Sequence, residues 1–142
     1  MLKQSAWINS LLEETEKNPT EDKILQIECC GRSCAEQNGH LDVAMTMAGA
    51  ASKCKTRSDY ITFMRNNFPF KLEESSDGII IYYGKEKCTC PMSPEVKSPM
   101  LCNCTLGHEK AMWSIVFGKQ VDAEIIESFQ RGGNDCVIKI FI

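Results

Sequence analysis

No apolar run in this chain approaches the roughly 20 residues that a membrane-spanning helix needs, so no membrane segment is expected. There is no block of like charge either. With a formal net charge of -3, the chain lacks the basic footprint that broad nucleic-acid binding requires. Phosphate loops, dinucleotide-binding glycine fingerprints and serine nucleophile elbows are all missing, which removes the most readily read nucleotide and serine-hydrolase chemistries. Internal repeats and an obvious linker are absent as well, so a single domain over residues 1–142 is expected. The opening segment, MLKQSAWINSLLEETEK, has a short apolar stretch followed at once by acidic residues, with no small-residue cleavage site, and so does not read as a signal peptide. A cytoplasmic protein with reduced thiols is the corresponding expectation.

Cysteine is what the chain has in excess. Nine occur among 142 residues, and an odd number cannot all pair within one chain. Two pairs have the form Cys-x-Cys: Cys88-Thr89-Cys90-Pro91 and Leu101-Cys102-Asn103-Cys104. A third, Cys30-Gly31-Arg32-Ser33-Cys34, lies upstream. A chain of this length can bury a core without help from metal, and its 43% hydrophobic and 25% charged content suits a globular protein. The thiols therefore point to a site rather than to a means of rescuing a small core.

Periodicity changes half-way along the chain. Trp7, Ile8, Leu11 and Leu12 form one stripe at helical spacing over residues 5–16. Asn18-Pro19-Thr20-Glu21 reads as a helix start with Asn18 as the cap, and Ile24, Ile27, Cys30 and Cys34 as one face of the helix that follows. Asn38-Gly39 ends it. Leu41, Ala44, Met45 and Ala48 mark a third helix to about Ser52. Ser58 can cap a fourth, carrying Tyr60, Ile61, Met64 and Phe68 and stopping before Pro69. Alternation then takes over. Phe70 and Leu72, the turn Ser75-Ser76-Asp77-Gly78 and the run Ile79 to Tyr83 make a hairpin whose second strand can extend toward Cys88. Residues 91–99 read as a loop. Thr105 can cap a helix running to Phe117, closed by Gly118. Residues 121–130 and 136–142 make two last strands, joined through Arg131-Gly132-Gly133-Asn134-Asp135. The expected class is α+β: N-terminal helices on a mostly antiparallel sheet, with one helix inserted before the last two strands.

If both Cys-x-Cys pairs lie on strands, each presents two sulfurs on one face, because side chains alternate with a period of two. Residues 91–101 are long enough to let the pairs meet. Cys88, Cys90, Cys102 and Cys104 could then hold zinc, which takes four ligands in a tetrahedron with sulfur at about 2.3 Å. An iron–sulfur cluster is the less favoured occupant. Four uncoordinated thiols are the plain alternative. Cys30 and Cys34, at i and i+4 on a helix, are reserve ligands, pocket-lining groups or small core residues. Cys29 points elsewhere, and Cys54 and Cys136 read as packing residues. His108, expected in the first turn of its helix, is a candidate ligand or acid/base group, or simply a cap. Glu109 reads as exposed. Glu127 shares the apolar face of its strand, so it needs a ligand, a metal or Arg131 as partner. Met112, Trp113, Tyr82, Tyr83 and Phe129 read as core, with an apolar pocket as the alternative.

The stretch Cys102 to His108 and on to Trp113, then Phe117 to Glu124, then Ser128 to Ile142, resembles the C-terminal half of the four-vinyl-reductase domain, a predicted hydrocarbon-binding module. The features that carry it are Gly118 ending a helix, Val121 to Glu124, Gly132-Gly133, Cys136, and Ile138 to Ile142. The Cys-Gly-Arg-x-Cys of residues 30–34 resembles a group of uncharacterised bacterial proteins with this tail, and the group labelled aminothiazoline-carboxylate hydrolase has a similar ending. The resemblance implies an α+β fold with a small-molecule pocket and cysteines suspected of metal binding. It departs at Ser128 or Phe129, where such proteins often carry a cysteine. Three functions follow as expectations: a zinc- and small-molecule-binding domain, a metal-dependent hydrolase with His108 or Glu127 as base, and a thiol redox or metal sensor acting through a partner protein. A small apolar or amphipathic ligand is the expected partner, a homodimer is open, and neither nucleic acid nor membrane is expected.

Overall fold

The computed structural model describes residues 3–142, with side chains from Ser5 onward. Among these residues the order is α1 (Lys3–Lys17), α2 (Glu21–Gln37), α3 (His40–Ala51), α4 (Arg57–Asn67), β1 (Lys71–Ser75), β2 (Gly78–Tyr82), α5 (Cys102–Phe117), β3 (Asp122–Glu127) and β4 (Val137–Phe141). Short 3-10 turns at Pro99–Leu101 and Phe129–Arg131 complete it. The sheet is antiparallel throughout, in the order β1-β2-β4-β3. This is the expected α+β class, with α5 inserted before the last two strands.

The sheet's inner face is built by alternation. Leu72 from β1, Ile79 and Ile81 from β2, Ile138 and Ile140 from β4 and Ala123 from β3 turn inward. They meet Ala44 and Met47 of α3, Tyr60, Ile61 and Met64 of α4, and Trp113 and Val116 of α5 in one core. Lys139 lies between Ile138 and Ile140 in sequence, so it faces the opposite side, where it reaches Asp77 at 2.9 Å. Gly118, at φ 66°, ends α5 in the left-handed conformation that glycine adopts without steric cost.

α5 is clamped to α2. Gly31 and Gly107 sit where the two backbones cross: a Cβ on Gly31 would collide with the carbonyl of Cys104, and one on Gly107 with the carbonyl of Glu28. Lys110 Nζ closes the crossing on Glu28 at 2.5 Å. A smaller cluster of Leu12, Val96 and Leu101 joins α1 to the segment before α5. There Asn9 of α1 donates to the Glu95 carbonyl at 2.8 Å and accepts from the Lys97 N–H at 3.1 Å.

Several boundaries differ from the sequence expectation, each for a local reason. Thr20, not Asn18, caps α2: its hydroxyl accepts the Lys23 N–H at 3.2 Å, and Pro19 precedes the cap. Thr56 takes the same part for α4 in place of Ser58, accepting from Asp59 at 3.1 Å. α5 starts three residues before Thr105, because the 3-10 turn at Pro99–Leu101, held by the Ser98 hydroxyl, leads straight into it. In α1 the buried line is Ser5, Leu12 and Thr15, with Ile8 half-buried, while Trp7 and Leu11 face outward at 68% and 53% exposure. On α2 the buried residues are Gly31 and Ala35, which turns Cys30 and Cys34 to the surface. β2 stops at Tyr82, well short of Cys88. None of the described helices is long and apolar enough to cross a membrane.

Candidate functional site

The four cysteines expected to share strands do not lie on strands. Cys102 and Cys104 occupy the first turn of α5, where residues two apart diverge around the helix instead of sharing a face. Cys88 and Cys90 sit in the irregular segment after β2. Among the described residues no three His, Cys, Asp or Glu side chains are placed to hold one metal ion.

What these residues do share is a cavity of about 480 Å³. It lies beside the N-terminal half of α5. Cys34 and Asn38 flank it at the end of α2, and His40 at the start of α3. Cys88, Thr89, Cys90 and Pro91 form a second wall. Leu101, Cys102, Cys104, Thr105, His108 and Glu109 come from α5 and its lead-in. Ile125, Glu127, Phe129, Cys136 and Ile138 close it from the sheet. Six of the nine cysteines therefore line one cavity, including Cys136, which sequence reasoning had set aside as packing. Cys30 does not reach it, and Cys29 lines a separate groove between α2 and α5. Tyr83 and Phe129 belong to the cavity, whereas Trp113 is core and Tyr82 turns to Glu73 at 3.1 Å.

Burial sets the chemistry of the thiols. It pushes the Cys104 thiol up to about 11, with neighbouring Cys34, Cys90 and Cys30 adding to the effect. Cys102 and Cys136 are pushed up for the same reason. Cys102 places its thiol 3.2 Å from the Ser128 hydroxyl. Such thiols stay protonated at neutral pH and behave as small apolar groups with weak donors.

The polar groups are few. His108 lies in the second turn of α5, and its Nε2 is 2.7 Å from His40 Nδ1, so one ring carries the proton that the other accepts. Burial, then the charge of His40, hold His108 below the ordinary histidine value. His40 was not singled out from sequence; only its position just after the α2 stop placed it near Cys34. Glu127, the other candidate base, accepts the Asn134 N–H at 2.9 Å and has no ion pair with Arg131, whose Nε donates to the Pro99 carbonyl at 3.2 Å. Glu109, expected to be exposed, is 6% exposed. It accepts from the Tyr83 hydroxyl at 2.5 Å and from Trp113 Nε1 at 2.8 Å. Burial raises its carboxyl above the ordinary range, against the pull of those two donors.

One family model matches the whole of residues 1–142. The chain belongs to the family of unknown function DUF6144. No curated protein matches it significantly. In three dimensions it is similar to the crystal structure of a trafficking protein particle complex subunit 3 from Naegleria fowleri covalently bound to palmitic acid. The TM-score is 0.52 at 14% identity, covering 97% of this chain and 92% of that one. At that identity the likeness shows a shared fold. What carries over from the C-terminal resemblance is its coarser part, an α+β fold similar to one solved with an apolar chain attached.

Proposed function

We propose that this protein binds a small apolar or amphipathic molecule, with its apolar part in the cavity beside α5. The observation that carries this reading is the cavity wall. Leu101, Ile125, Phe129 and Ile138 are apolar, and the thiols of Cys102, Cys104 and Cys136 are held protonated by burial. A volume of about 480 Å³ falls within the range of small-molecule sites and suits a medium-length alkyl chain. The similarity to a fold solved with palmitic acid supports the same reading. Redox sensing through these three thiols would need a thiolate, which the same burial disfavours.

Calorimetric titration with 1-dodecanol below its solubility limit tests it. One dodecanol should bind per chain. Cys104→Trp and Ile125→Phe, which fill the cavity from two sides, should each weaken binding by about tenfold or more. Absence of saturable binding, or binding indifferent to both substitutions, would remove the proposal.

Zinc is the second reading. It is favoured by Cys34, Cys88, Cys90, Cys102, Cys104, His40 and His108 lining the same cavity. It requires some of these side chains to converge further, since no ligand set is gathered among the described residues. Elemental analysis of protein purified without added metal separates the two. The apolar reading expects far less than one zinc per chain, and stoichiometric zinc would favour the second.

A further inference from the structure

Glu109 is a buried carboxyl on the cavity wall whose two direct partners, Tyr83 and Trp113, are neutral donors. Each carboxylate oxygen keeps a second acceptor direction. The nearest lysine in sequence, Lys110, turns away to Glu28 and Asp122, at 2.5 Å and 3.2 Å. Among the described residues that line the cavity there is a second carboxylate, Glu127, and there is no lysine or arginine. His108 adds little positive charge above neutrality, because burial and then the charge of His40 hold it below the ordinary histidine value. A largely apolar cavity thus holds a desolvated acid with no cation beside it.

We propose that the cavity selects a long-chain cation, an amphipathic primary amine whose ammonium sits against Glu109, over the free fatty carboxylate of the same length. This rests on the reading of the cavity as an apolar-ligand site and names the head group that site prefers. A buried charge without a partner is costly, and a bound ammonium removes that cost. A carboxylate head would bring like charges together where the effective dielectric is low.

The test uses the full chain at pH 8, where a primary ammonium, like that of lysine near 10.4, is still protonated. Dodecylamine, 1-dodecanol and dodecanoate are titrated separately, each below its micelle concentration. The amine should bind about tenfold tighter than the alcohol, and the carboxylate more weakly than the alcohol. Glu109→Gln should bring the amine-to-alcohol ratio to within about threefold, whereas Glu16→Gln, on the exposed face of α1, should keep it, which separates a site charge from net charge. Dodecanoate binding as tightly as the amine overturns the inference, and that comparison needs only wild-type protein should Glu109→Gln not fold. A ratio that survives in folded Glu109→Gln overturns it as well. Alcohol binding with no discrimination among head groups sinks this inference alone; failure of all three ligands to bind sinks the apolar-site reading with it.

Discussion

Replacing Gly31 with alanine should lower the unfolding free energy by about 2–3 kcal/mol, the scale on which overpacked cores yield. The sign is the informative part. A glycine-to-alanine change inside a helix ordinarily gains up to about 1 kcal/mol, because alanine restricts the unfolded backbone and favours the helix. At Gly31 the new methyl meets the Cys104 carbonyl and the backbone N–H of His108, and neither can move without bending α5. Gly107 presents the reciprocal case against the backbone of Glu28. Gly49, inside α3 with nothing near its missing side chain, is the control: Gly49→Ala should be neutral or stabilising. Urea unfolding of the three variants checks this. A Gly31→Ala protein as stable as Gly49→Ala would mean that α2 and α5 do not cross as closely as described. The same crossing sets the cavity, since it places Cys34 of α2 against Cys104 and His108 of α5, so Gly31→Ala should weaken dodecanol binding too.

The second large effect is a pH dependence centred on Glu109. Burial raises its folded-state carboxyl, while the unfolded chain titrates near the ordinary value of about 4.3. Below that value both states hold the proton and Glu109 costs nothing. As pH rises above it the unfolded state releases its proton first, so stability falls until the folded carboxyl also ionises. Within that window the slope reaches about 1.4 kcal/mol per pH unit for one proton. Glu109→Gln keeps the shape, leaves an acceptor for Trp113 or Tyr83, and should flatten the decline. Thermal unfolding from pH 4 to pH 8 measures it. Coincident profiles for the two proteins would contradict a buried, uncompensated Glu109.

The fold was largely legible because it is written in periods. Alternation in residues 136–142 sets Ile138 and Ile140 apart from Lys139, and the helical spacings of residues 24–34 and 41–48 announce α2 and α3, whereas the unbroken apolar run of residues 79–83 announces a strand without saying which side chains face inward. Capping was misread by two residues at Asn18 and Ser58. Thr20 and Thr56 offered side-chain oxygens able to cap as well as the Asn18 amide and the Ser58 hydroxyl, and backbone conformation, which sequence does not print, chose between them. The site was legible in composition and illegible in geometry. Cys102 and Cys104 looked like a strand pair because Cys-x-Cys fits a period of two, whereas Pro99 opens the turn that leads straight into α5. Glu109 looked exposed because it stands between two polar residues, His108 and Lys110. Its burial is decided by Tyr83 and Trp113, which reach it from β2's end and from the next turn of α5. The close crossing at Gly31 and Gly107 depends on the partner helix and is not written in either helix alone.

The central claim is that the cavity beside α5 is where an apolar chain lodges. Methyl-resolved NMR of the protein titrated with 1-dodecanol tests it most directly. The account predicts saturable shifts at Leu101, Thr105, Ile125 and Ile138, which line that cavity, with Leu25, Leu41 and Ile115 of the groove between α2 and α5 unmoved. Shifts confined to the second set, or spread without saturation over both, would contradict it.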